Sequence, residues 1–380
     1  MTTIAQSTLP ISNQKVLFLA FDLSQSQWKL GFTIGLGQPP RIRTISARDL
    51  DALQMEIQQA DQRFGLPEST PVKSCYEAGR DGFWLHRYLC GHDIANVIVD
   101  SSSIEVNRRM RRAKTDRLDV GKLLLMLVRY HSGERKVWRI IHVPNEETED
   151  SRQFHRELAD LKVGRTSHIN RIKGLLSGQG ICLSIESDFL DTMKAVRLWN
   201  GNPLPPELQM RLEREYNQIL FINQQIAGLE AYRRKTIRTS QLPSIQQVRQ
   251  LMQLKGIGIN SAWLFVMEFF SWRAFHNRRE VGALAGLTST PFQSGDSHHE
   301  QGISKAGNRH IRALAIEIAW GWLRFQPDSK LSRWYQQRFA QGSSRVRRIG
   351  IVTLARKLLI ELWRYLETGI PPEGAVLQTM

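Results

Sequence analysis

The chain has 380 residues with 52 Lys and Arg against 36 Asp and Glu, a formal charge of +16 and a pI near 10.1. That length points to two or three domains, and a hydrophobic share of 41% supports packed cores, which excludes wholesale disorder. The basic balance points to nucleic acid before membrane. No run of 18 apolar residues could span a bilayer, no secretory leader opens the chain, and three scattered cysteines (Cys75, Cys90 and Cys182) fit a reducing cytoplasm better than a disulfide framework.

Residues 1–14 are polar and are expected to be disordered. Lys15–Phe21 is a short apolar run of strand length. Gln27–Ile34 alternates loosely, and glycines with Pro39-Pro40 turn the chain into a third strand at Arg41–Ile45. Asp49–Arg63 has helical spacing at Leu50, Leu53, Ile57 and Ala60. A strand at Val72–Tyr76, a helix from Asp81 to Cys90 and a strand at Ile94–Val99 follow. A basic loop at 101–115 leads to a helix from Asp116 to Tyr130. The order β-β-β-α-β-α-β-α predicts a mixed α/β layer with an antiparallel opening and parallel additions.

Strand signals then fade. Leu158, Leu161, Ile169, Ile172 and Leu176, and later Leu208, Leu212, Ile219, Ile222, Ile226 and Leu229, predict two long helices broken near Asn200–Pro206. They form an antiparallel arm whose stripe is expected to pack on a partner subunit. Residues 244–367 are again helical, with short helices around Gly256-Ile-Gly258, a loop at Thr288–Ser304, and helices at Asn308–Phe325 and Val346–Thr368.

Four acids carry the chemistry. Asp22 ends the first strand and Glu77 ends Val72–Tyr76, while Asp116 and Asp119 open a helix one turn apart. Carboxylates at strand ends of an open sheet converge on one edge, and hard oxygen ligands there suit Mg2+, two ions being able to clamp a phosphodiester. Each acid alone would serve as a cap or turn residue. Their joint placement is that of an RNase H-like nuclease. Arg108, Arg109, Arg111, Arg112, Lys114 and Arg117 surround the second pair and read as a phosphate channel.

Gly256-Ile-Gly258 resembles a helix-hairpin-helix turn, and the same glycines would also serve a plain tight turn. The 288–304 loop is rich in hydroxyls, and composition does not choose a nucleophile among Ser289, Ser294, Ser297 and Ser304. Ser304 alternatively caps a helix. His298-His299 lacks matching Cys or His at zinc spacing, and Cys75, Cys90 and His92 form no zinc pattern. Trp334 and Tyr335, set among arginines in 329–360, suit stacking on nucleic acid or an amphipathic core.

Tyr76-Glu-Ala-Gly79, Lys114–Asp119, Gly256-Ile-Gly258, Ala285-Gly-Leu287, Gln293-Ser-Gly295 and Gly302–Asn308 occur in the order found in the DEDD insertion-sequence transposases. The chain resembles that family of bridge-RNA-guided recombinases, relatives of Piv-type DNA invertases, from about residue 15 to 325. The resemblance implies a RuvC-like (RNase H-fold) domain at 15–143, a helical coiled-coil arm at 144–240, a helical transposase domain at 241–370 with a helix-hairpin-helix-like element, and a tail at 371–380. It implies that Asp22, Glu77, Asp116 and Asp119 hold two Mg2+ ions and that Ser294 is the nucleophile of a transposase acting through a covalent phosphoserine. A structured bridge RNA would choose donor and target DNA. The assembly would be a homo-oligomer, from dimer to tetramer, and the setting the cytoplasm of a bacterial-type cell, near its nucleoid. Lys305 and Arg309 join Arg108, Arg109, Arg111, Arg112, Lys114, Gly256 and Gly258 as nucleic-acid contacts. The competing readings are a RuvC-like hydrolytic nuclease, a site-specific DNA invertase and a non-enzymatic nucleic-acid scaffold.

Overall fold

The computed structural model describes residues 15–67, 69–79, 82–104, 116–294 and 297–378, with the backbone alone described at 102, 116–119, 291–294 and 297–301. The chain divides at Val143/Pro144 into two compact units.

The first unit holds β1 (Leu17–Leu23), β2 (Gln27–Thr33), β3 (Arg41–Ser46), α1 (Leu50–Phe64), β4 (Val72–Glu77), α2 (Trp84–Gly91), β5 (Ala95–Val99) and α3 (Asp116–His131). The sheet order is β3-β2-β1-β4-β5. β1 pairs antiparallel with β2 and parallel with β4, and β4 runs parallel to β5. The mixed α/β layer read from the sequence is therefore present.

β1 is apolar from Leu17 to Phe21 because both of its faces are covered there. Leu17, Leu19 and Phe21 join Leu53 and Ile57 of α1 and Leu85 and Leu89 of α2 in one core. Phe18 and Ala20 join Val120, Leu123, Leu124 and Leu127 of α3 in another. Gly31 of β2 lies against Val120, and a β-carbon there would collide with it, so glycine lets α3 sit close on the sheet. α1 begins at an Asp49 cap, whose carboxylate accepts from the Ala52 amide (2.9 Å), and ends at Gly65 in the left-handed region. α2 starts at Trp84, later than the spacing suggests, because Gly82 at φ +65° cannot belong to a right-handed helix.

The second unit opens with α4 (Glu146–Ser177) and, beyond the short α5 (Phe189–Ala195), α6 (Pro206–Thr239). α4 and α6 run antiparallel: Lys162 reaches Glu230 (3.3 Å), and farther along Arg171 reaches Glu215 (2.7 Å). The far end closes on a core of its own, formed by Ile172, Leu176, Phe189, Met193, Leu204, Leu212 and Tyr216. The helical spacing had marked Ile172, Leu176 and Leu212, but not Phe189, Met193 and Leu204, which lie in the 178–205 connection where no period marks them.

α7 (Pro243–Met252), α8 (Ile259–Phe265), a π turn at Val266–Phe270, α9 (Arg278–Leu284), α10 (Arg309–Phe325), α11 (Lys330–Phe339) and α12 (Ser344–Thr368) share one large core. The expected 288–304 loop is instead a hairpin, β6 (Ser289–Ser294) with β7 (Ser297–Ile303). Phe292 and Ile303 are the only large apolar residues in its strands, so no apolar alternation marks them. Ser-Gly-Asp-Ser, a two-residue connection that starts with glycine, was the legible hairpin signal.

A buried ionic cluster ties α4 to this core. Glu268 accepts from His155 Nε2 and Arg156 Nε (both 2.8 Å) and pairs with Arg152 (3.2 Å), and Arg273 donates to its backbone carbonyl (2.9 Å). Burial alone pushes the Glu268 carboxyl up, but the bonds from His155 and Arg156 and the charges of Arg152 and Arg156 outweigh it and hold it well below the usual carboxylate range. Burial, then the nearby Arg152 charge, lowers Arg273 to about 10.

Glu268→Ala strands these cations without their anion and is expected to cost about 3–5 kcal/mol in urea unfolding followed by circular dichroism. A loss under about 1 kcal/mol would contradict this reading of the cluster. A carboxyl depressed on folding stabilises above its ordinary value of 4.5, and that stability is lost as pH falls below it. The deficit of Glu268→Gln against the parent should therefore shrink in acid.

Candidate active site

β1 and β4 are neighbours, and Phe21 lies opposite Tyr76 in their register. Asp22 and Glu77 are the next residues of the two strands. Alternation puts positions 22 and 77 on the face of Phe18, Ala20 and Cys75, the face that α3 covers. Asp22 is half-buried and Glu77 exposed.

Three contacts fix the direction of α3. Val120 lies over Gly31, the partner of Ala20; Cys75 Sγ meets the Leu123 carbonyl (3.9 Å); and His131 stacks near Phe18 (5.9 Å). α3 thus runs against β1, and its first turn, positions 116–119, stands at the end of the sheet where β1 and β4 terminate. The side chains of Asp116, Arg117 and Asp119 lie outside the described residues, as do Arg108, Arg109, Arg111, Arg112 and Lys114 entirely. The structure therefore brings Asp22 and Glu77 side by side and carries the helix positions of the other two acids to the same edge.

The sequence reading missed one acid at this edge. Val99 pairs with Glu77, and Asp100 follows it. Its carboxylate meets Arg139 (3.7 Å), and its amide donates to the Arg139 carbonyl (2.9 Å). The same pattern that flagged Asp22 and Glu77, an acid closing an apolar strand, would have found it. Among the described residues no group of three or more His, Cys, Asp or Glu is gathered as ligands. The donor chemistry of Asp22 and Glu77, two hard carboxylates at adjoining strand ends, nevertheless fits Mg2+.

In the second unit, Ser294 closes β6 and pairs with Ser297 across Gly295 and Asp296, which lie outside the described residues. The side chains of Ser294 and Ser297 are likewise outside them. Ser304 is not a helix cap. Its amide donates to the Thr288 carbonyl (2.8 Å) and its hydroxyl accepts from Thr288 Oγ1 (3.4 Å), while Asn308 caps α10 by accepting from the His310 and Ile311 amides (2.9 and 3.2 Å).

The two glycine motifs interlock. Asn308 N donates to the Leu284 carbonyl (2.9 Å) and Lys305 N to the Gly286 carbonyl (3.2 Å). Gly307, at φ +134°, leaves no room for a β-carbon against the Leu284 carbonyl. Arg312 donates to the Lys305 carbonyl (2.9 Å) and holds Lys305 in the left-handed region. Exposed Lys305 and Arg309 are thereby fixed on a rigid turn beside the hairpin. Arg312 was missed because its role is a backbone contact that leaves no periodic signal.

Gly256 and Gly258 join α7 to α8. Gly256 sits at φ +94° against the Phe325 ring, and Gly258 precedes the first residue of α8. Buried Gln326 pins this turn to the chain end, donating to the carbonyls of Lys255 (2.8 Å) and Val376 (2.9 Å). Of the aromatics read as possible stacking groups, Tyr335 is core, its hydroxyl donating to the Arg347 carbonyl (3.3 Å), and Trp334 is covered by Lys357 (4.6 Å). Arg345, Arg347 and Arg348 remain exposed at the start of α12. No helix among the described residues is long and apolar enough to cross a membrane.

Residues 248–336 match the profile of the IS116/IS110/IS902 family of transposases, a span that includes the Gly256 turn, the β6–β7 hairpin, Lys305 and Arg309. The chain is similar to the protein y4rJ of Sinorhizobium fredii, which carries a transposase name, at 37% identity over 376 residues, 96% of this chain and 95% of the relative. It is similar to the transposase for insertion sequence element IS1111A of Coxiella burnetii at 23% over 247 residues, 65% of this chain and 64% of the relative. It also resembles the transposase for IS1328 of Yersinia enterocolitica at 24% over 228 residues, 59% and 65%.

Proposed function

The chain belongs to the IS116/IS110/IS902 family of insertion-sequence transposases, and we propose that it cuts and rejoins DNA through Asp22, Glu77, Asp116, Asp119 and Ser294. The observation that carries this reading is the register of β1 and β4, which sets Asp22 beside Glu77 at the edge that the first turn of α3 also reaches. Asp22, Glu77, Asp116 and Asp119 would hold Mg2+, whose chemistry is to neutralise charge on a phosphodiester and favour an alkoxide.

Ser294 attacks phosphorus and forms a phosphoserine bond as the deoxyribose oxygen leaves and takes up a proton in place of the one the serine gave up, and the reverse attack by a DNA hydroxyl releases the serine. Each exchange conserves the number of phosphodiester bonds, so the strand can be rejoined without an outside energy source. Lys305 and Arg309, fixed by the Gly286–Gly307 contacts, neutralise backbone phosphates, and the basic residues Arg108, Arg109, Arg111, Arg112 and Lys114 extend that role. Val163, Leu220 and Phe221 expose apolar surface on the α4–α6 arm, which supports assembly with further copies of this chain, from dimer to tetramer. In a purified system, excision from a donor plasmid should require Mg2+ and leave ligated products. Cleavage that yields free ends without joining would instead favour the RuvC-like hydrolytic nuclease.

Site choice falls, in this reading, to a bound structured RNA that pairs with donor and target DNA. A charge of +16 supports a second polyanion, and the sequence carries no zinc-finger pattern for reading bases. Ribonuclease treatment of the purified complex is expected to abolish site-specific recombination and leave non-specific DNA binding in place. Efficient site-specific recombination by RNA-free protein would overturn this part of the reading.

A further inference from the structure

Residues 329–360 carry eight Lys and Arg and no Asp or Glu, half of the formal charge of +16. Part of that charge is engaged internally. Lys330 pairs with Glu373, and Lys357 covers Trp334 (4.6 Å). Arg338, in the last turn of α11, and Arg345, Arg347 and Arg348, at the start of α12, are exposed and make no ion pair among the described residues.

Residues 340–343 join the two helices, and the corner is tightly held. Gly350 of α12 lies so close to the Phe339 ring that a β-carbon would collide with it, and Gly342 has no room for one against Val346. The Tyr335 hydroxyl donates to the Arg347 carbonyl (3.3 Å). Burial begins at Gly350, while residues 343–349 are all exposed, so nearly two turns of α12 stand clear of the core. The first turn holds no acid, although the helix dipole favours acids there, and Arg345 and Arg348 repel each other three residues apart. Helix stability does not account for this composition. A polyanionic partner does.

We propose that α11 and α12 form a helix-turn-helix that docks duplex DNA, with the free end of α12 in the major groove. The proposal rests on the reading of the chain as a DNA recombinase and adds the surface that grips the duplex. Two helices joined by a short turn with a glycine, the second one basic and projecting, are the plan of such modules. The major groove of B-form DNA is about 12 Å wide and admits a helix, whereas the deep, narrow major groove of A-form RNA does not. Arg345 and Arg348 lie on the side of α12 away from Ile351 and Leu354, which are buried, and meet phosphates and base-edge acceptors. Exposed Val346 and Ile349 suit thymine methyl groups. The docked helix holds the duplex, and site choice stays with the paired RNA.

The test reads binding alone, by fluorescence anisotropy of a short labelled DNA duplex with the full chain, so its failure is distinct from a failure of recombination. Arg345→Ala/Arg348→Ala should weaken duplex DNA about tenfold and flatten the slope of log affinity against log salt by about two. Arg211→Ala/Arg214→Ala, an exposed pair of the same spacing on α6, should change affinity less than about twofold. An RNA duplex of equal length should likewise lose less than about twofold with Arg345→Ala/Arg348→Ala. Equal losses for DNA and RNA would overturn the proposal, as would unchanged DNA affinity in the folded variant. In the parent chain, duplex DNA should shield Arg345 and Arg348 from an arginine-selective dicarbonyl reagent, followed by mass spectrometry. Labelling of both that DNA leaves unchanged would overturn the proposal without any variant.

Discussion

Alanine at Asp22 or Glu77 is expected to abolish strand cleavage, with a loss of about 10³-fold or more. The two carboxylates end neighbouring parallel strands in matched register, and removing either one takes away a hard oxygen ligand, while Asp100 at the same edge is already engaged by Arg139. Asp116→Ala and Asp119→Ala should behave alike, since the first turn of α3 stands at the same edge. None of the four should unfold the protein. Asp22 and Glu77 sit at the rim of the sheet and outside its apolar clusters, and taking a charge from a group of acids relieves repulsion in the absence of metal. Cleavage of a labelled element end, read alongside circular dichroism, checks this. Full activity in any two of the four single variants would remove the metal-binding assignment.

Ser294→Ala should lose recombination to the same extent while keeping nucleic-acid affinity within about twofold, because a hydroxyl neutralises no phosphate charge. Lys305→Ala should do the opposite, weakening binding and flattening its salt dependence. Ser289→Ala and Ser304→Ala are the internal controls. Ser304 bonds to Thr288 through its amide, which alanine retains, so the loop should keep its shape. Mixing Ser294→Ala with Asp119→Ala protein should restore part of the activity if different protomers supply the two functions. No recovery at any mixing ratio would place both functions in a single protomer.

The first unit was legible because its signals are local and strong. Leu17–Phe21 is too short and too apolar for anything but a buried strand, and the starts of β3, α1 and β4 are marked by Pro39-Pro40, the Asp49 cap and Pro71. The site edge was legible for the same reason, since a polar residue that ends an apolar strand marks where the sheet meets solvent. Asp100 escaped because the basic loop that follows it drew the reading away. In the second unit the long helices announced themselves by spacing, but the hairpin did not. β6 and β7 hold only Phe292 and Ile303 as large apolar residues, so no alternation of apolar and polar residues announced their pairing. The Glu268 cluster was also hidden. Arg152, His155 and Arg156 look like the solvated face of a long helix until a glutamate more than a hundred residues away is folded against them. Side-chain partners across such distances have no periodic trace in a single sequence.

The most direct test of the account is to trap the covalent step. The 380-residue chain with the RNA proposed to guide it, Mg2+ and a labelled suicide substrate carrying the element end should give a protein–DNA adduct stable on a denaturing gel. Digestion and mass spectrometry should place the phosphodiester on the peptide containing Ser294, with no adduct from Ser294→Ala or in EDTA. An adduct that persists in Ser294→Ala, or that maps to Ser289, Ser297 or Ser304, would contradict it.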